Sequence, residues 1–130
     1  KINKINKINK INKINKIMKQ ITYKTIQFFI GENAQDNFNI LDNSLKINPD
    51  FLWFHLNSFS SCFVIMHATI DDIKDDIGDY LNFAANLCKI NSKYKNFKDL
   101  KICYTTLKKL QKTEKIGEII INGKKNIIKL

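Results

Sequence analysis

The chain has 130 residues, 44% of them hydrophobic, with 22 basic and 12 acidic side chains and a formal net charge of +10 at pH 7. That is one domain's worth of chain with enough apolar content for a globular core, and no apolar run approaches the roughly 20 residues a membrane-spanning helix needs. Its three cysteines, Cys62, Cys88 and Cys103, lie far apart among apolar neighbours, which fits reduced, buried thiols in an intracellular, cytoplasmic protein rather than a disulfide framework.

Every basic residue is a lysine, and Lys, Asn and Ile abound together as they do under the coding bias of an AT-rich genome. The distribution of charge is therefore more informative than its sum. Residues 1–19 carry +7, residues 20–88 carry −6 and residues 89–130 carry +9. An acidic middle beside a basic C-terminal third points to one face that attracts anions. The N-terminus is basic but has no continuous apolar stretch, so no secretory signal is expected. A first residue of Lys rather than Met reads as a fragment of a longer protein.

Residues 1–17 repeat Lys-Ile-Asn with period three, which matches neither the period of a strand nor that of a helix. Residues 1–19 are accordingly expected to be a disordered low-complexity tail, with the folded domain at 20–130. Ile21 to Ile30 is rich in β-branched and aromatic residues and ends at Gly31, as a strand would. Asn33 is placed to cap a helix to about Leu45, with Ala34, Phe38, Leu41 and Leu45 at helical spacing. Asn48-Pro49-Asp50 is a turn. Two short apolar runs, near 51–56 and 62–67, predict neighbouring buried strands.

Thr69 and Asp72 have the spacing of a capping box, but the main second helix is expected at about 79–91, with Leu81, Ala84, Leu87 and Cys88 inward and 69–77 as a loop or separate turn. Leu100 to Tyr104 predicts a further strand. Asn122-Gly123 is a strong signal for a two-residue hairpin turn joining 116–121 to 124–130. The economical architecture is α+β, with a mostly antiparallel sheet and two main helices.

The string Pro49-Asp50-Phe51-Leu52-Trp53-Phe54-His55, with Ser60-Ser61 and Val64 after it, resembles the signature of the NFACT-R domain. Gly31-Glu32-Asn33 and Asn37 upstream, then Tyr104-Thr105, Lys112-Thr113 and Gly117 downstream, agree in order. The similarity spans roughly residues 28–121. That domain occurs in NFACT proteins of ribosome-associated quality control and in the coiled-coil domain-containing protein 25 family. The resemblance implies a single NFACT-R-like domain with an RNA-binding role in transfer-RNA or ribosomal-RNA recognition, with DNA as the ligand in the smaller family.

His55 is one candidate functional residue, since its ring can contact a phosphate or base, or move a proton near neutral pH. A lone histidine among aromatics is as readily a structural group, and Trp53 reads as core rather than a stacking surface. No glycine-rich phosphate loop or nucleophile elbow appears. The five Asp between 71 and 79 lack calcium-loop spacing, and His67 with Cys62 lacks zinc spacing. No metal, cofactor or catalytic residue is therefore expected.

The lysines carry the functional reading. Lys108, Lys112 and Lys115 would align on one helical face, with Lys109 beside them and Lys124 and Lys125 at the hairpin tip. Ammonium groups bind phosphates as point charges without reading sequence. Together with His55 they predict a non-enzymatic module that binds nucleic acid, RNA rather than DNA, with the ribosome as a possible setting. The alternative is a protein-interaction module docking on a ribosomal or other acidic partner.

Overall fold

The structure is a computed structural model that describes residues 18–130. The repeat expected to be disordered, residues 1–17, lies outside the described residues. The chain opens with β1 (Met18–Tyr23) and β2 (Ile26–Gly31), which pair antiparallel. The single strand expected at 21–30 is thus a hairpin, and β1 starts inside the stretch assigned to the tail. The reversal falls at Lys24 and Thr25, with φ of 47° and 72°, the left-handed pair that a tight two-residue turn needs. Neither residue is a usual turn former, which is why the break was not visible in the sequence. The turn is tied down from outside: Lys24 Nζ donates to Asp79 Oδ2 at 2.6 Å, and Tyr23 Oη donates to the same oxygen at 2.8 Å.

Helix α1 (Ala34–Ile47) follows. As expected, Asn33 caps it, its Oδ1 accepting from the Asp36 N–H at 2.8 Å, while the Asp36 carboxylate accepts from the Glu32 N–H at 2.8 Å. One first-turn donor and the N–H just ahead of the cap are satisfied in this way. Then come β3 (Leu52–Leu56) and β4 (Val64–Met66). The Thr69 and Asp72 pair does form a reciprocal cap, with bonds of 2.9 and 3.2 Å. It starts a separate 3-10 turn, Asp71–Asp76, and helix α2 (Ile77–Ile90) begins after it.

The last part comprises β5 (Lys101–Thr106), a 3-10 turn (Leu107–Lys109), β6 (Leu110–Lys112), β7 (Ile119–Ile121) and β8 (Asn126–Lys129). Here two expectations fail. The lysines from 108 to 115 do not lie on a helix; they pass through a 3-10 turn, a strand and a loop, so they do not share a helical face. The hairpin around Asn122-Gly123 does not form either. β7 pairs with β6, and β8 pairs with β5. Gly123 alone takes a positive φ there, 115°, and the Asn122 N–H donates to the Lys109 carbonyl at 2.7 Å. The physical reason is the open edge of β5. That strand presents a row of unpaired backbone groups, and β8 satisfies them while Ile128 packs into the core.

All pairings are antiparallel, in one six-stranded sheet ordered β1-β2-β4-β3-β5-β8 and one two-stranded sheet, β6-β7. Side chains alternate across a strand, and β3 shows the consequence. Leu52, Phe54 and Leu56 face the cluster that contains Leu81, Ala84, Leu87 and Cys88 of α2. Trp53 faces the other cluster, with Phe38 and Leu41 of α1, Phe63 and Cys103. The sheet is buried on both faces, one helix to each. The mostly antiparallel α+β fold with two main helices is as expected.

Candidate nucleic-acid interface

On the α1 face the helix packs over β2 and β4, while the small sheet presses Leu110, Ile119 and Ile121 against the same cluster. Between these covers, and the loop that joins β3 to β4, the sheet is left open. The opening is a groove of about 900 Å³, with Trp53, His55 and Cys103 among its lining residues.

Its walls are set by close approaches that few residues could make. At the head, the Asn37 side-chain oxygen accepts from the Phe63 N–H at 3.0 Å, and the Gly31 N–H donates to the Phe63 carbonyl at 3.0 Å. A Cβ on Gly31 would collide with Asn37 Oδ1. Gly31 and Asn37 therefore act as one joint between β2, α1 and β4. On one side, the loop between β6 and β7 rests on the first turn of α1: Gly117 has φ of 86°, and a Cβ there would lie 2.7 Å from Ala34 Cβ. Bonds from the Thr113 N–H to the Glu118 carbonyl (3.1 Å) and from the Glu118 N–H to the Lys115 carbonyl (3.0 Å) close this loop. Lys115 is thereby carried to the rim.

The predicted lysines divide into two groups. Lys115 and Lys125 line the groove. Lys108 is paired with Asp50 at 2.7 Å and Lys112 with Asp42 at 2.9 Å, and Lys112 Nζ also sits 5.2 Å from the Phe38 ring centre. Those two are tied to the acidic residues that precede β3 and line α1, so they do not converge on the groove. Lys109 lies beside the turn at 122–125, its Cδ 3.7 Å from where a Gly123 Cβ would be. Lys124 is exposed on that same turn, whose backbone is held by Thr105 Oγ1 donating to the Lys124 carbonyl at 3.4 Å.

His55 is half-buried, stacked on Trp53 (ring centres 5.4 Å apart, 8° between planes) and edge-on to Phe63. Its Nδ1 donates to the Leu56 carbonyl at 2.8 Å. Burial pushes its pKa below the ordinary value, against the opposing pull of the Leu56 and Ser61 backbone, and the neighbouring Lys125 charge pushes the same way as burial. His55 is thus a neutral wall of the groove, not a cation. Burial also pushes the Cys62 thiol up to about 11, which leaves almost no thiolate at neutral pH.

Sequence reasoning missed three contributors. Lys19 lines the groove, but its place at the end of the stretch assigned to the tail hid it. The first turn of α1 opens at the groove through Asn33 and Ala34, where the exposed N–H groups carry partial positive charge, offset by the buried Asp36 carboxylate. Trp53 is 3% exposed, and its indole N–H has no partner among the described residues, an arrangement no sequence pattern signals. Two carboxylates also reach the groove, Glu118 and Glu32, and Glu32 pairs with Lys19 at 3.8 Å.

Comparison with known proteins agrees with this architecture. The C-terminal part of the fibronectin/fibrinogen-binding protein from Streptococcus suis has a similar fold, with a TM-score of 0.65 at 20% identity over 85% of this chain. The match spans 43% of that chain, so this sequence corresponds to less than half its length. No curated protein matches. The family model described as the NFACT protein RNA binding domain matches residues 16–129, nearly the whole chain, and the chain belongs to that family.

Proposed function

We propose that this chain is a non-enzymatic RNA-binding module whose groove seats the backbone of a transfer-RNA or ribosomal-RNA segment. The observation that carries the reading is the convergence of Lys115 and Lys125 on a groove floored by Trp53 and His55, in a member of an RNA-binding domain family. Lysines give affinity to phosphate without sequence reading. The Trp53 N–H lies buried in the floor without a partner, a donor that binding would have to uncover, and Lys109, Lys124 and Lys19 extend the positive field around the rim. Lys108 and Lys112, predicted as part of the same face, take a secondary role because Asp50 and Asp42 already neutralise them. A role at the ribosome follows from the kind of RNA proposed. Proton transfer is not part of this reading, which asks of His55 only that it wall the groove, and the Cys62 thiol stays protonated.

The test compares two double substitutions by measuring affinity for a single-stranded RNA across a salt series. Each phosphate contact contributes about 0.7 to the slope of log affinity against log salt on a single strand. Lys115→Gln with Lys125→Gln should lower the slope by roughly one to one and a half units. Lys108→Gln with Lys112→Gln should change it by less than half as much. Equal losses would mean that charge acts in bulk and the groove has no special part. No loss from either pair would move binding off this surface and favour docking on an acidic protein partner.

A further inference from the structure

Beside the groove, Phe59 and Phe97 gather on Tyr94, which is half-buried against the core under α2, while the two phenylalanines stay outside it. Phe59 and Phe97 are 38% and 51% exposed and belong to neither apolar cluster. The three rings nevertheless pack on one another. Phe59 stacks on Tyr94 with centres 4.3 Å apart, Tyr94 meets Phe97 edge-on at 5.1 Å, and Phe59 meets Phe97 edge-on at 6.4 Å. Two exposed aromatics held in water against a half-buried third signal an interaction surface.

The cluster is built from two loops, both pinned by backbone bonds. The Asn57 N–H donates to the Lys101 carbonyl at 2.8 Å, Ser58 takes a φ of 72°, and Phe59 follows it outward. In the second loop the Phe97 N–H donates to the Tyr94 carbonyl at 2.9 Å, and the Tyr94 N–H donates to Ser92 Oγ at 3.1 Å. The rings are therefore preorganised, which spares the ordering cost of binding. Lys93, Lys95 and Lys98 stand exposed around them, and Asp99 is the one acid between residues 89 and 101. None of those three lysines pairs with a carboxylate among the described residues. Phe59 also lines the groove, so cluster and groove form one continuous surface.

Exposed aromatic faces ringed by unpaired cations suit a polyanion with flat rings of its own. We propose that Phe59, Tyr94 and Phe97 form a stacking platform for unpaired bases, so that the RNA in the groove continues across it as a single strand. This rests on the groove being the phosphate-binding surface, and it adds the substrate class: RNA with an unpaired stretch, not a continuous duplex. In an A-form duplex the base faces are occupied by their neighbours and only edges and backbone are on offer. A single strand can lay its bases on aromatic rings, whatever their sequence.

The experiment uses the full chain and two RNA probes of equal charge, a single-stranded oligonucleotide and a duplex. Phe97→Leu keeps apolar bulk at an exposed site but removes the π-face, and Phe97→Tyr keeps the face. Stacking on an aromatic residue changes affinity by about 5- to 150-fold per base. Phe97→Leu should therefore weaken single-strand binding about fivefold or more, leave duplex binding and the salt slope unchanged, and be rescued by Phe97→Tyr. Equal losses on both probes, no loss on the single strand, or a loss that Phe97→Tyr shares would overturn the platform. The Lys115 and Lys125 double substitution separates the two readings. If it still weakens binding while Phe97→Leu does not, the groove stands and the platform falls; if wild-type protein binds neither probe, both fall.

Discussion

The two faces of the central sheet were built from the same strands to different ends. Beneath α2 lie Phe28, Leu52, Phe54, Leu56, Val64 and Ile102, all buried and all apolar, with Tyr104 and the buried Thr106 hydroxyl at their edge. Beneath α1 the same strands present Trp53 and His55, His67 follows just after β4, and the helix adds buried Asp36, Asn37 and Ser44. One face is sealed by its helix; the other is only partly covered, and its uncovered end is the groove. Buried polar groups need partners, and Asp36, Asn37 and Ser44 find theirs in the Glu32 N–H, the Phe63 N–H and His67; this face gives up apolar packing to hold them.

The largest effects should come from breaking either floor. Phe54→Ala on the sealed face and Trp53→Ala on the open face should each cost about 3–5 kcal/mol in chemical denaturation, because both rings are buried and truncation leaves a cavity. A gentler change separates the faces. Trp53→Phe keeps most of the ring and should cost less than about 1.5 kcal/mol, yet remove the unpartnered indole N–H. RNA affinity should drop with Trp53→Phe and hold with Phe54→Leu. If both leave affinity intact, the indole N–H has no part in binding.

Glycine substitutions probe the same contrast at smaller magnitude. Gly78 lies on α2, and a Cβ there would meet nothing within 4 Å. Gly78→Ala should stabilise the protein by up to about 1 kcal/mol, the difference in helix propensity. Gly117 lies on the open face, at positive φ and against Ala34. Gly117→Ala should destabilise by about 1–3 kcal/mol, and it should also weaken RNA binding by pushing Lys115 off the rim. Thermal melts of the two variants should move in opposite directions; a melt unchanged in Gly117→Ala would mean the loop is free to move away from α1.

Much of the sealed face was legible in the sequence. The apolar run from Phe51 to Leu56 marks a strand buried on both faces, and the spacing of Leu81, Ala84, Leu87 and Cys88 fixes which side of α2 goes inward. The open face was harder to read because its geometry depends on pairings between distant segments. Nothing local says that β8 will leave Gly123 and join β5, because the alternative hairpin has the better turn sequence; what decides it is an unpaired edge some 20 residues earlier. Likewise Lys108 and Lys115 look equivalent in a lysine-rich stretch, and only the placement of Asp50 makes one an ion pair and the other a groove residue. The turn at Lys24-Thr25 went unseen because Asp79, far along the chain, supplies what the turn sequence lacks.

The smallest expected effect concerns the two histidines of the open face, one enclosed and one at the groove. His67 Nε2 lies 2.8 Å from Ser44 Oγ, with Phe29 and Phe51 rings at 4.3 and 4.7 Å. Burial lowers its pKa from 6.5 to about 4. Between those values the unfolded chain binds a proton that the native state refuses, so stability rises with pH through that window. The contribution is fully present above about pH 6.5 and is lost progressively as pH falls toward 4. His67→Gln, which can still bond to Ser44 but does not titrate, should flatten the acid slope of denaturation midpoints between pH 6.5 and 4. His55 is lowered for the same reason, but it faces a groove where bound phosphate would favour its charged form. Adding RNA should therefore shift the acid response of wild-type protein and of His67→Gln alike, and His55→Gln should abolish that shift. If RNA changes nothing in the acid limb of any variant, His55 stays clear of the phosphates and serves only as the wall between Trp53 and Phe63.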